Sequence, residues 1–444
     1  MLMPFLSDKD PVASSEGTLD PLGLYQIADA LGVKLIPGIR ERMRHPRFLT
    51  LTAVSLAVCS DFDDDVLAKD GVSEPWQVFE WYVVEGLVRC IKDKDLIRGL
   101  PGTDKVYRSI QDNAPISAQR YLMTPNVFGF HGVYRLLSRT LNIDVDGRLG
   151  ENGYRLISVW RGEQGLPGFY ESNAGKGAEV IRMWRDAVRD GLERGAVARS
   201  SAWQGWQIIA DHLGHYGAGQ KEQSTLKELI LSYEPGYACQ IMQFMTSTEG
   251  TGVVRQIQER SASEGTWSER PFHNALGDKA EAGLHELLVA IDAYETFARL
   301  LQDAFDDCLC EMTKYKGKTP VTVLAECQNV KKAADRIPVE YEGTMDKLEP
   351  FGEMTRFQRL FSSLADKGSS QDWIVRLLEH HIRVQKEKPP TPNGKLPWFD
   401  PFADDSYIIR QGYTRDKGGL GDDSYVHTYR LNSLWTFAKD MGML

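Results

Sequence analysis

The spacing of apolar residues along this chain is helical almost throughout. Residues 48–59 (FLTLTAVSLAVC) are apolar with hardly a break and predict a buried helix. Residues 75–98 carry Trp76, Phe79, Val83, Val84, Leu87, Val88 and Ile91, a stripe wide enough to be covered on most sides. Residues 178–194 are amphipathic: Val180, Ile181, Trp184, Ala187, Val188 and Leu192 form one side, and Arg182, Arg185 and Arg189 recur at i, i+3, i+7 on another. The longest periodic run, 275–316, holds Leu284, Leu287, Leu288, Ile291, Tyr294, Phe297, Leu300, Leu301, Phe305 and Leu309 and predicts one long core helix or two. Further helices are expected at 321–335, within 350–387 and at 425–441. Residues 7–19 read as a polar arm, and 161–177 as a linker, since Gly175-Lys176-Gly177 lacks the full phosphate-loop pattern. The polar, Gly/Ser-rich stretch 247–270 and the Gly-rich stretch 415–424 are expected to be mobile loops.

Residues 124–160 break the monotony. Phe130, Val133, Tyr134, Leu136, Leu137 and Leu141 keep helical spacing, with Arg135 and Arg139 on the other side. The period then changes: Ile143 and Val145 alternate with polar residues, and Asp146-Gly147 is a tight-turn signal. A second helix follows, with Tyr154, Leu156, Ile157 and Trp160. Helix, hairpin and helix in this order resemble the back half of a winged-helix unit, which either enters a DNA groove or docks protein. The same order also fits a small unit that only packs.

With 444 residues, 42% hydrophobic and 26% charged, the chain is long enough for a sizeable core, in two to four domains or around one large one. A net charge of −10 opposes non-specific coating of DNA, although a local basic face can still meet phosphate. The six cysteines (Cys59, Cys90, Cys239, Cys308, Cys310 and Cys327) form no CxxC pair, which argues against a structural zinc site. The opening MLMPFL is too short for a signal, and no run approaches the roughly 18 apolar residues of a membrane span. Reduced thiols in the cytoplasm are the expectation.

Three clusters carry candidate chemistry. Arg40, Arg42, Arg44, His45 and Arg47 fall within eight residues; in a helix Arg40, Arg44 and Arg47 share a face, but Pro46 favours a turn. Such a cluster holds phosphate or an acidic partner, or pairs internally with the nearby Asp61, Asp63, Asp64 and Asp65. His212-x-x-His215 has the spacing of two metal ligands but lacks HExxH and a third ligand beyond Asp211, so the histidines read as structural. Toward the end, His380, His381, Arg383, Lys386, Lys388 and Lys395 precede Pro397-Trp398-Phe399. Basic and aromatic residues interleaved in this way fit a nucleic-acid contact, and equally a strap packed over the core.

The opening TLDPLGLYQIADALGVKLIPGIRERMRHPRFLTL, the stretch 124–160 and the tail VHTYRLNSLWTFAKD together resemble a loose group of bacterial proteins encoded in phage-defence islands. The resemblance covers patches of the chain and transfers no catalytic residue. It implies an accessory or recognition subunit beside an ATPase or nuclease encoded elsewhere.

The expected fold is mainly α, a multi-helix bundle with a small winged-helix-like α+β unit. Expected domains are 1–160, with that unit at 124–160, then 178–246, and 273–444 with an extended basic and aromatic strap at 386–402. The expected function is a non-enzymatic, DNA-linked recognition or scaffold subunit. Arg40, Arg42, Arg44, Arg47, Arg135, Arg139, Arg148, Arg383, Lys386 and Lys388 are its candidate nucleic-acid contacts, with protein partners, no membrane, no cofactor and no metal. Two alternatives stand beside it: a scaffold without nucleic-acid contact, and a metal-dependent nuclease whose site is assembled from distant residues, with His212, His215, His380 or His381 as candidates.

Overall fold

The computed structural model describes residues 20–233, 236–315, 317–389 and 394–444, so the arm expected at 7–19 lies outside them. The chain is mainly helical and divides into two compact units, one made of residues up to Leu35 and Ser247–Tyr429, the other of Ile36–Thr246 and Arg430–Leu444. The first unit opens with α1 (Tyr25–Leu35). The second holds α2 (Phe48–Cys59), α3 (Pro75–Cys90), α4 (Thr103–Gln111), α5 (Pro125–Phe128), α6 (Phe130–Thr140), the strands β1 (Asp144–Val145) and β2 (Arg148–Leu149), α7 (Glu151–Glu163), α8 (Lys176–Arg194), α9 (Gly205–Leu213), α10 (Gln220–Leu231) and α11 (Ala238–Met245). The first unit resumes with α12 (Thr248–Glu264), α13 (Arg270–Gly277), α14 (Ala282–Lys314), β3 (Thr319–Pro320), α15 (Val321–Leu324), α16 (Gln328–Leu348), α17 (Met354–Phe361), α18 (Ser370–Glu387), β4 (Phe399–Pro401) and β5 (Ser406–Ile409). The closing α19 (Leu431–Asp440) belongs to the second unit and packs on α11.

In the second unit α2 and α3 form the centre. Every residue from Phe48 to Val58 is buried, and so is every residue from Gln77 to Val88. Helices buried on all sides have no solvent face to keep, so the rest of the unit wraps them. Pro75 at the first helical position and a reciprocal cap between Glu74 and Gln77 fix where α3 starts. Glycines set its closest approaches: a Cβ at Gly86 would lie 2.8 Å from Ile209 of α9, and one at Gly191 of α8 2.6 Å from Val78.

α3 also buries a carboxyl, Glu80, against the start of α6. It accepts hydrogen bonds from the Tyr121 hydroxyl (2.8 Å) and the His131 amide (3.2 Å), so it sits at the positive end of α6. Burial still dominates and pushes its pKa up to about 7. A carboxyl that holds its proton more tightly in the folded chain loses stability as pH rises from its ordinary value toward the raised one. Glu80→Gln is expected to remove that slope. Its stability relative to the native chain should gain up to about 3 kcal/mol between pH 4.5 and pH 8. Urea unfolding of both proteins across that range checks this, and a difference that stays flat refutes it.

In the first unit α14 runs beside α16 and is buried along its length, from Leu284 to Met312. α1 is tied to α14 by the Tyr294 hydroxyl, which donates to the Leu24 carbonyl (2.5 Å). The Asp20–Gly23 turn before α1 is tied to α18 by two histidines, bonded to the carbonyls of Leu22 (His380, 2.7 Å) and Pro21 (His381, 2.8 Å). Strands β3, β5 and β4 form one small antiparallel sheet in that order.

Two expected loops of the first unit are ordered otherwise. Most of 247–270 is helix α12, capped by Ser247 at its start and ended by Gly265 at φ +74°. Its buried apolar side is little more than Val254 and Ile257, too sparse a signal against the polar composition. The Gly-rich stretch 415–424 is pinned to α14. Asp307 accepts the Gly419 amide (2.9 Å), and Asp303 accepts those of Leu420 and Gly421 (3.1 Å each). Glycine is required there because a Cβ at Gly419 would meet the Asp303 backbone at 2.5 Å.

Candidate functional site

The helix, hairpin and helix expected within 124–160 are α6, β1–β2 and α7. The hairpin pairs Asp144 with Leu149 and Val145 with Arg148. Its two turn residues, Asp146 (φ +51°) and Gly147 (φ +81°), take the left-handed conformation that a two-residue hairpin needs. Asp144 accepts the Gly147 amide (2.8 Å) and closes the turn. On the other side of the hairpin, the Asn152 side chain donates to the Leu141 carbonyl (2.8 Å), which ties the start of α7 to the end of α6. α6 is held from beneath by Phe130, stacked on Phe48 of α2 with ring centres 5.8 Å apart, and by Tyr134, tilted against the same ring at 5.3 Å.

Between α6, the hairpin, the end of α2 and the start of α3 lies a cleft of about 400 Å³. Arg135 and Arg139 line it from α6, Asp144 and Asp146 from the hairpin, Asp63 and Asp64 from the turn after α2, and Glu74 and Trp76 from α3. The Trp76 indole N–H donates to Glu74 (2.8 Å), and its ring packs against His131, centres 5.1 Å apart. Burial, then the charge of Arg135, holds the His131 imidazole down at about 3, so it is neutral. Its Nε2 is buried without a hydrogen-bond partner. Cys59 also lines the cleft; burial raises its thiol to about 12, which withholds the reactive thiolate.

The expected arginines divide sharply in this unit. Arg135, Arg139 and Arg148 are exposed on one helix-and-hairpin element. Arg139 lies 3.6 Å from Asp144, and Arg148 lies 3.7 Å from Asp64. The first cluster is a turn, not a helical face. Its amides at Arg44 (2.9 Å) and His45 (3.0 Å) donate to the Tyr134 hydroxyl of α6. Arg40 is exposed, Arg42 covers the Phe128 ring at 4.4 Å, and burial lowers the pKa of Arg44. Arg47 turns inward: its side chain pairs with Glu222 at 3.1 Å and donates to the carbonyls of Gly214 and His212. A buried guanidinium with these partners cannot reach a phosphate. The acidic run pairs elsewhere too, Asp61 with Arg185 of α8 (3.3 Å) and Asp64 with Arg148.

The basic residues near the end of α18 belong to the first unit. Arg383 donates to the Leu360 carbonyl (2.7 Å) and to Nδ1 of His380 (2.9 Å). Lys388 donates to the Asp20 carbonyl, and Lys386 is exposed. Trp398 and Phe399 are buried, Trp398 stacked on Tyr413 at 4.7 Å, so the aromatic part of the expected strap is packing. Residues 390–393 of that strap lie outside the described residues.

The histidines answer similarly. His381 bonds the Pro21 carbonyl through Nδ1 and accepts the Trp398 amide at Nε2 (3.0 Å), while His380 bonds Leu22 through Nε2 and accepts from Arg383 at Nδ1. Each is therefore a neutral ring of defined tautomer with both nitrogens engaged. Burial holds them down at about 3 and about 4. His212 bonds Gln164 at 3.2 Å, and the side chain of His215 lies outside the described residues. Among the described residues no group of His, Cys, Asp and Glu is suited to a metal ion, and no helix is long and apolar enough to cross a membrane.

Trp76, His131 and the carboxylates of the cleft were not legible as a site. Trp76 reads as one more position of an apolar stripe, and the acidic run as a counter-charge for the arginines before α2. Trp76 follows Pro75 in the first turn of α3, where its ring is half-exposed. No family model matches this chain, and no curated protein or solved structure matches it.

Proposed function

We propose that the chain is a non-enzymatic recognition subunit of a bacterial defence assembly, and that α6 with its hairpin, in the manner of a winged helix, meets the DNA backbone. Arg135 and Arg139, one turn apart on α6, and Arg148 on the hairpin would contact phosphates, beside an ATPase or nuclease supplied by another chain. The observation that carries this reading is the exposure of all three on one helix-and-hairpin element. The counter-ion of Arg148 is a weak competitor: the Arg148–Asp64 pair is 81% and 92% exposed, and such pairs contribute little and exchange readily. Phosphate contact leaves a salt signature, a slope of about 0.9 in log K per contact against log salt. The triple variant Arg135→Glu, Arg139→Glu, Arg148→Glu is expected to weaken duplex binding at least tenfold and to flatten the slope by two to three. Fluorescence anisotropy between roughly 50 and 200 mM salt reads both; an unchanged affinity and slope remove DNA from the reading.

One observation favours a scaffold without nucleic acid. Met123 (96% exposed), Val127, Phe128, Leu136 and Val145 leave apolar surface in the same unit that a protein partner would cover. A stable protein complex free of DNA after nuclease treatment would select it.

A further inference from the structure

The link from α3 to α4 holds cations that the DNA reading does not use. Lys94, Arg98 and Lys105 line one cleft of about 570 Å³, with Asp95, Asp104 and Tyr107. Lys94 and Arg98 are exposed and Lys105 half-exposed, so a ligand can reach all three. Among the described residues none of the three forms an ion pair, whereas Arg89, Arg185 and Arg199 of the same unit pair with Glu85, Asp61 and Asp190. Three unpaired cations against two carboxylates leave this cleft net positive, and it favours an anion.

Tyr107 also lines a second cleft, of about 460 Å³, with Arg89, Ser201, Trp203, Trp206 and Gln207. The two clefts therefore meet at the Tyr107 ring. The Lys94 ammonium stands 5.3 Å from the centre of that ring, which puts cationic and aromatic surface side by side. Trp203 is half-exposed and set edge-on against Trp206, ring centres 4.9 Å apart. A planar ring entering the second cleft meets aromatic walls that packing already orders. Exposed Ser201 supplies a hydroxyl there, and Gln207, whose amide donates to Asp211 (2.7 Å), supplies an accepting oxygen. Phosphate beside a planar, hydrogen-bonding ring is the make-up of a nucleotide. A bare phosphate would leave the aromatic cleft empty, and an uncharged aromatic would leave the three cations unused.

We propose that this double cleft binds a nucleotide, its phosphate at Lys94, Arg98 and Lys105 and its base against Tyr107 and Trp203. A free nucleotide and one within a single strand present the same chemistry. The site shares no lining residue with the cleft beside α6 and goes beyond the duplex reading.

Calorimetric titration of the whole chain tests it with four probes: adenosine monophosphate, adenosine, pyrophosphate and a single-stranded oligoadenylate. The nucleotide is expected to bind at least tenfold more tightly than adenosine or pyrophosphate. The triple variant Lys94→Gln, Arg98→Gln, Lys105→Gln should weaken the nucleotide at least tenfold and flatten its salt dependence, with adenosine unmoved. Tyr107→Leu should weaken it at least fivefold and Tyr107→Phe less than twofold, because the ring and not the hydroxyl meets the base. Asp95→Asn removes an opposing charge and should tighten the nucleotide severalfold, a gain that a misfolded variant cannot mimic. An oligoadenylate bound at least tenfold more tightly than the nucleotide makes a strand the ligand; equal or weaker binding makes it the free nucleotide. None of these changes touches Arg135, Arg139 or Arg148, so duplex binding should be unaltered and the two readings can fail separately. The proposal is overturned if adenosine or pyrophosphate binds as tightly as the nucleotide, if neither nucleotide nor strand binds, or if affinity is indifferent to Tyr107 and the three cations.

Discussion

Arg47→Ala is expected to lower the stability of the second unit by about 3–5 kcal/mol, because it leaves a carboxylate buried without its cation. Arg47 is 1% exposed and Glu222 0%, and their side chains meet at 3.1 Å. The guanidinium also satisfies the carbonyls of His212 and Gly214 at the end of α9. Its loss strands Glu222, while the carbonyls of His212 and Gly214 keep the Trp160 indole and the Gly217 amide as donors. Glu222, whose pKa burial already raises against the pull of Arg47, would take up a proton. Thermal unfolding should show a fall on the order of 10 °C in the midpoint of that unit. Arg40→Ala, seven residues earlier and exposed, should move it by less than about 1 kcal/mol. Replacing both partners together, Arg47→Met with Glu222→Met, should recover much of the loss, since a dry pair of similar volume leaves no charge unpaired. Equal small effects at Arg40 and Arg47 would show that the pair carries no such weight. Any loss of DNA binding in Arg47→Ala thus reports folding first.

That contrast shows what the sequence could carry. α2, α3, α6, α8 and α14 are legible because burial writes itself into apolar spacing, and α2 even declares by its all-round apolarity that it lies at the centre. The hairpin is legible because Asp146-Gly147 meets a specific backbone demand. Arginine has no such code. Arg40 and Arg47 look alike in the string, yet one faces water and the other is paired to a carboxylate 175 residues away. The partner of a buried charge is chosen by tertiary packing, which local pattern does not contain. The stretch 415–424 fails for the same reason: its glycines suggest freedom, and two aspartates on a helix more than a hundred residues earlier remove it. The cleft is hidden more deeply, because its walls come from five separate elements and each contributes an ordinary residue. α12 marks the opposite limit, a helix whose two buried apolar residues are too few to outweigh its composition.

Glu295→Gln should be the corresponding break in the first unit, costing roughly 3–5 kcal/mol through unsatisfied buried donors and the loss of a charge-assisted acceptor. Glu295 is fully buried on α14, where four donors converge on it: Nδ1 of His427 (2.8 Å), the Tyr429 hydroxyl (2.7 Å), and the amides of Val426 (2.6 Å) and His427 (3.2 Å). Burial alone would raise its pKa, but His427 and these hydrogen bonds outweigh it and hold the carboxyl below its ordinary value. A glutamine of the same shape keeps one accepting oxygen and turns an NH2 toward donors that cannot receive it. The segment 424–429 should then lift first, since its amides lose their acceptor while the apolar contacts of α14 with α16 remain. Hydrogen exchange will resolve this as faster exchange at Val426 and His427 with α14 still protected. The pH dependence carries an independent sign. A carboxyl held below its unfolded value gives stability that is complete above that value and lost as pH falls beneath it. The native chain should therefore weaken below about pH 4.5, and Glu295→Gln should lack that part of the acid slope. Matching acid slopes in the two proteins, or no change in exchange at Val426, would mean that packing rather than this carboxylate holds the segment to α14.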